Sequence, residues 1–187
     1  MSFRLVSAAI VLVLAGGAAS ATCPDAPDHA GRIDDLIAQV QDAETEDSAR
    51  ALSNRMWEYW TDAPNPQAQA ILDRGMTKRS GWDLLGALKD FDALVAYCPA
   101  YAEGYNQRAF VNFLRQDYAS ALADLDLALK RNPRHVAALS GKALTLIGLV
   151  LHDRRGPEAG ARPQPATKGS TSSVLNQDVR SVAARYC

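Results

Sequence analysis

The stretch AQAILDRGMTKRSGWDLLGALKDFDALVAYCP, Ala68–Pro99, is followed 34 positions on by AEGYNQRAFVNFLRQDYASALADLDLALKRNP, Ala102–Pro133, and the two can be laid over each other residue by residue. Arg74-Gly75 returns as Arg108-Ala109 and again as Lys142-Ala143, while Ala87, Phe91, Leu94 and Pro99 return as Ala121, Leu125, Ala128 and Pro133. A fixed period of this length means stacked units, because a single short unit cannot bury its apolar face alone.

Each unit reads as two helices. Asn65 is placed to cap the first, with Pro66 at the first helical position, where a missing amide hydrogen costs nothing. That helix runs to about Arg79 and turns at Ser80-Gly81. The returning helix carries Trp82, Leu84, Leu85, Leu88, Phe91, Leu94 and Val95 before Pro99 stops it. The next unit repeats the plan over roughly 102–115 and 118–131, with Arg115-Gln116-Asp117 as turn and Asn132-Pro133 as stop. Gly75, Ala109 and Ala143 in first helices, and Ala87 and Ala121 in second helices, are small because two backbones approach to about 8 Å only where no large side chain intervenes.

The order small, small, large apolar, small or apolar, then proline resembles the tetratricopeptide repeat, a unit of two antiparallel helices joined by a tight turn. Two full units (68–101 and 102–135) and the first helix of a third (136–152) carry the resemblance within 66–152, about half of the chain. It implies an all-α solenoid and a non-catalytic surface that binds a protein or peptide. First helices line the concave face in this family. The implied groove is Gln69, Leu72, Met76 and Arg79, then Glu103, Asn106, Phe110 and Phe113, then Ser140, Leu144 and Ile147, mostly apolar and suited to an extended or helical peptide. Chaperone-binding members clamp a carboxylate with lysine, asparagine and arginine at set groove positions. Leu72, Met76, Gln107, Ala137 and Gly141 stand there instead, which argues against that mode. The motif Ala-Leu-x-Asp, present at Ala87–Asp90 and Ala121–Asp124, implies salt bridges from Arg74 and Arg108 to Asp90 and Asp124 that fix the stack; a basic ladder for acidic ligands is the weaker alternative.

Upstream, Asp28 can cap a helix with Ile33, Leu36, Ile37 and Val40 on one face, and a second helix from about Thr45 carries Leu52, Met56, Trp57, Tyr59 and Trp60. Ser53, Trp57, Trp60 and Asn65 keep the 34-residue register, so 28–64 is expected to be a degenerate first helix pair. Two tryptophans three apart could cage a ligand, although aromatic stripes at helical spacing are more often core. Downstream the pattern fails: Arg155, Ala159 and Thr167 fall where a second helix needs a small residue, a large apolar one and a stop, and Pro157, Pro163 and Pro165 crowd in. The segment 153–173 reads as a disordered linker. Leu175, Val179, Val182 and Tyr186 form one stripe of a short helix over 174–187, which either caps the open edge of the stack or stays loose. Self-association through that edge, Leu144–Leu151, is the alternative function.

Met1-Ser2-Phe3-Arg4, the apolar run Leu5–Ala15 and Ala19-Ser20-Ala21 read as a signal peptide over 1–21, cleaved after Ala21, implying a periplasmic or secreted protein in which membrane contact is confined to the leader. The net charge is −1. No basic excess points to nucleic acid. Cys23, Cys98 and Cys187 leave one thiol over; Cys98 is either a small apolar residue at a helix end or the partner of Cys23. His29, His135 and His152 are scattered, with no second ligand at helical spacing, so no metal or other cofactor is expected, and His135 is expected at a helix cap or on the surface. No phosphate loop, nucleophile elbow or paired carboxylates suggest an enzyme.

Overall fold

The computed structural model describes residues 22–153. The leader 1–21, most of the linker 153–173 and the helix expected at 174–187 lie outside the described residues. The described chain holds α1 (Ala30–Gln41), α2 (Glu46–Trp60), α3 (Pro66–Ser80), α4 (Leu84–Tyr97), α5 (Ala102–Leu114), α6 (Tyr118–Arg131) and α7 (Val136–Asp153), with no strand among them.

Local chemistry sets the helix ends. Asn65 accepts from the Ala68 amide with Pro66 at the first position of α3, and Asp83 and Asp117 accept from Gly86 and Ser120 at the starts of α4 and α6. The turns inside the two pairs are copies: Trp82 and Gln116, 34 apart, both adopt left-handed backbone, φ 62° and 63°. That conformation lets three residues reverse the chain, at a cost for any residue with a Cβ. α1 begins two residues after Asp28, which nonetheless accepts from the Ala30 amide.

The two pairs α3–α4 and α5–α6 stack through α4 on α5, and α7 closes against α6 and α5. Small residues set the spacing. A Cβ on Gly75 would come within 2.5 Å of the Phe91 ring, and one on Gly148 within 2.5 Å of Tyr118. The core follows the repeat: Leu72, Ala87, Phe91 and Leu94 are fully buried in one cluster, and Ala109, Leu125, Ala128 and Ala138 are buried in the next. Alone among the described helices, α7 has the length and apolar composition to cross a membrane; here it packs on α5 and α6 as a first helix of the stack.

The N-terminal pair departs from the register that its spacing suggested. α1 packs on α2, but α2 does not lie on α3 as α4 lies on α5. Instead Ile33, Leu36, Met56 and Trp60 share a core with Ala137 at the start of α7. The connection explains the departure: α2 and α3 are joined by five residues containing Pro64, whereas four join α4 to α5 and α6 to α7. The extra residue lets α2 leave the stack and fold over the first turns of α5 and α7.

Candidate functional site

Arg108 and Asp124 form the better built of two equivalent ion pairs. Arg108 Nε and Nη2 donate to Asp124 at 2.9 and 2.6 Å, and Nη1 donates to Asp92 at 2.9 Å. The hydrogen bonds that it donates to Asp124 hold the guanidinium above its ordinary pKa. One repeat earlier, Asp90 accepts from Arg74 at 2.8 Å and faces the Lys78 ammonium at 2.7 Å. Burial pushes the Asp90 carboxyl up, but those two cations outweigh it and leave it below the ordinary carboxylate value. Asp90 and Asp124 are buried, Arg108 half-buried and Arg74 exposed. The Arg74–Asp90 and Arg108–Asp124 contacts tie helix to helix inside a unit, and Arg108–Asp92 ties one unit to the next.

The residues expected to line the groove divide into three groups. Leu72 does not line it: the side chain is fully buried against Phe91 and Leu94, because α4 and α5 close over that position. Glu103, Asn106 and Gln69 are committed internally. Glu103 is 1% exposed and accepts from Asn106 at 3.1 Å, from His135 Nε2 at 2.8 Å and from Gln107. Gln69 accepts from the Ala63 amide and donates to Asp73. A carboxylate with its lone pairs filled by three donors is a structural anchor. The third group stays partly uncovered. Phe110 and Leu144 are half-buried around Phe113, while Ile147 is 53% exposed and Met76, Arg79 and Ser140 are partly exposed. The Arg79 guanidinium lies 4.9 Å from the Phe110 ring centre and donates to Gln107. Asn106, Phe110, Phe113, Gly141, Leu144 and Thr145 enclose a recess of about 20 Å³, a dimple between α5 and α7.

The starts of α5 and α7 are covered by the chain itself. Trp60 stacks on His135, rings 4.4 Å apart and 19° from parallel, and its carbonyl accepts from the Tyr101 hydroxyl at 2.6 Å. Burial, with the charges of Glu103, Asp62 and Asp73, pushes the Tyr101 hydroxyl up, so it stays a donor. His135 Nδ1 accepts from the Ala138 amide, leaving Nε2–H to donate to Glu103. His135 is thus a cap for α7, but a buried one, 1% exposed. The two grips on Trp60 come from one repeat position, since Tyr101 and His135 stand 34 apart. That signal lies in the 34-residue spacing, whereas the histidines read singly point only to a ligand, a cap or a surface residue.

Beside this contact lies a cleft of about 560 Å³ between residues 26–34, the end of α2 and the loops after α4 and α6. Its charged walls are already paired: His29 with Asp62 at 2.7 Å, Arg134 with Asp34 at 2.6 Å, and Arg131 with the Pro99 and Leu127 carbonyls and the Tyr105 hydroxyl. Cys23 and Cys98 form a disulfide that pins the segment before α1 to the end of α4. That decides between the two readings of Cys98, whose sulfur is buried in the core as a bridge. Among the described residues no group of three His, Cys, Asp or Glu side chains could hold a metal ion.

No family model matches the chain, and no solved structure matches it. Two curated proteins are similar. A TPR repeat-containing protein of Rhizobium etli is 30% identical over 118 residues, 62% of this chain and 56% of that protein. The tetratricopeptide repeat protein 36 homolog of Nematostella vectensis is 38% identical over 65 residues, 35% of this chain and 36% of that protein. The chain therefore spans about half the length of the first and about a third of the second. With the 34-residue period, stacked helix pairs and small residues at the close approaches, the chain is similar to tetratricopeptide-repeat proteins.

Proposed function

We propose that the protein is a non-catalytic scaffold of the bacterial cell envelope that binds a protein or peptide through the part of its concave face that the N-terminal pair leaves open. The coarse role of this family, a protein-interaction scaffold, is the starting point. The observation that carries the finer reading is the patch of Phe110, Phe113, Leu144 and Ile147 on α5 and α7, next to the dimple and flanked by Arg79. Half-buried apolar side chains beside an exposed Ile147, with the Arg79 cation at the rim, fit a short amphipathic helix or an extended segment with apolar residues. Two features support an oxidising compartment: the leader-like residues 1–21 and the Cys23–Cys98 bridge, a bond rare where thiols are kept reduced.

Peptides selected from a random library on the oxidised chain, titrated by calorimetry, test the reading. Phe110→Ala with Leu144→Ala should weaken binding by about 2 kcal/mol, roughly thirtyfold, with helicity by circular dichroism unchanged. Binding untouched by that pair of changes would remove the concave patch from consideration.

A further inference from the structure

Along each first helix one row of residues faces its own second helix. In α3 the row is Ile71, Gly75 and Lys78, with Gly75 against Phe91 and Lys78 2.7 Å from Asp90. In α5 it is Tyr105, Ala109 and Asn112, all buried, the first two in a cluster with Leu125 and Ala128 and the third donating to Asp124. One period on, α7 places Leu139, Ala143 and Leu146 in that row and continues it with Val150. All four are exposed, Leu139 at 48%, Leu146 at 44% and Val150 at 50%. This face is built for a second helix that the described residues do not supply.

The residues that directly follow the repeat cannot supply it, because prolines stand at 157, 163 and 165. A later segment can. The second helices share one pattern: an N-cap, then four residues on a small residue, an aspartate at the next third position, and apolar residues at the fourth and seventh. In α4 these are Asp83, Ala87, Asp90, Phe91 and Leu94; in α6 they are Asp117, Ala121, Asp124, Leu125 and Ala128. Thr171, Leu175, Asp178, Val179 and Val182 repeat it, with threonine a competent cap. The basic partner is also in place. Arg108 bridges Asp124 and Asp92; Lys142, its counterpart, holds Asp126 at 2.6 Å, the counterpart of Asp92, and among the described residues no acid stands where Asp124 would.

We propose that residues 174–187 dock on the exposed row of α7 as its missing second helix, with Asp178 beside Lys142. A chain as long as the intervening segment 154–173 can span about 25 Å, ample for a return that α4 and α6 make in three residues. Tethering raises the local concentration of the segment to about the millimolar range, which favours it over a second copy of the protein. Leu175 in place of alanine is the one departure, and it sets the helix axes nearer 10 than 8 Å apart.

Hydrogen exchange of the full oxidised chain, with light scattering on the same samples, tests the proposal. Amides of 174–187 should exchange at least about tenfold more slowly than in Val179→Asp or Leu146→Asp, and Asp178→Lys should lose protection that Lys142→Glu with Asp178→Lys regains. Because Leu146 and Lys142 are not core residues, these variants keep the stack folded. Full exchange of 174–187 in the unaltered protein overturns the proposal, as does a concentration-dependent dimer that Leu146→Asp abolishes.

Discussion

Arg74 and Arg108 occupy the same repeat position yet carry different loads. Asp90 has two cations, and losing Arg74 leaves Lys78 at 2.7 Å. Among the described residues Asp124 has one cation and, beyond it, only the Asn112 amide at 3.4 Å, since asparagine replaces lysine at that step of the repeat. Arg108→Met therefore strands a buried carboxylate and should cost about 3 kcal/mol, whereas Arg74→Met should cost about 1 kcal/mol or less. Urea denaturation of both variants checks this, and equal losses would contradict it. Pairing of Arg108 with Asp124 was legible from their interval of 16. The Glu103, Gln107 and His135 cluster was legible only in part, because Glu103 and Gln107 stand four apart on α5 while His135 enters from the loop before α7, and no local spacing links it to them. Leu72 was misplaced for the same reason: family position assigns it to the groove, but whether a side chain there is covered depends on neighbouring helices.

At the scale of the element, the close approach of α3 and α4 is shared between two residues. Gly75 lies under Phe91, while one repeat later Ala109 is matched with the smaller Leu125. Total volume across the contact is thus roughly conserved. Gly75→Ala should favour the helix by about 1 kcal/mol through propensity, yet lose more, about 1 to 3 kcal/mol, by displacing the Phe91 ring. Combining it with Phe91→Leu rebuilds the Ala109–Leu125 pairing, so the double variant should be about 1 to 2 kcal/mol more stable than the sum of the single effects. Additive effects in the thermodynamic cycle would show that the ring does not sense the glycine. Helices and turns of the repeat were legible because period, caps and stops agree on them. The path of α2 was not, because Trp57 and Trp60 keep the spacing of the register while the longer connection through Pro64 takes the helix elsewhere.

For the molecule as a whole, the N-terminal pair is held to the stack by two kinds of constraint. One is noncovalent: Trp60 on His135, and Asp34 with Arg134. The other is the Cys23–Cys98 bridge, which closes a loop over a sequence separation of 75. In the chain-entropy account such a loop contributes about 4 kcal/mol. Cys23→Ser in a Cys187→Ser background should lower stability by up to that amount, and an unchanged denaturation midpoint would mean the bridge constrains nothing. Cysteine count alone left the pairing open, since three cysteines admit three bridges. The central claim is that the concave face is divided, its N-terminal edge occupied by α1–α2 and its remainder open to a partner. The hydrogen-exchange footprint of a library-selected peptide on the oxidised chain tests it most directly. The account predicts slowed exchange in residues 106–114 of α5 and 140–148 of α7, with α1 and α2 unaffected; a footprint on α4 and α6, or displacement of α1–α2 by the peptide, would contradict it.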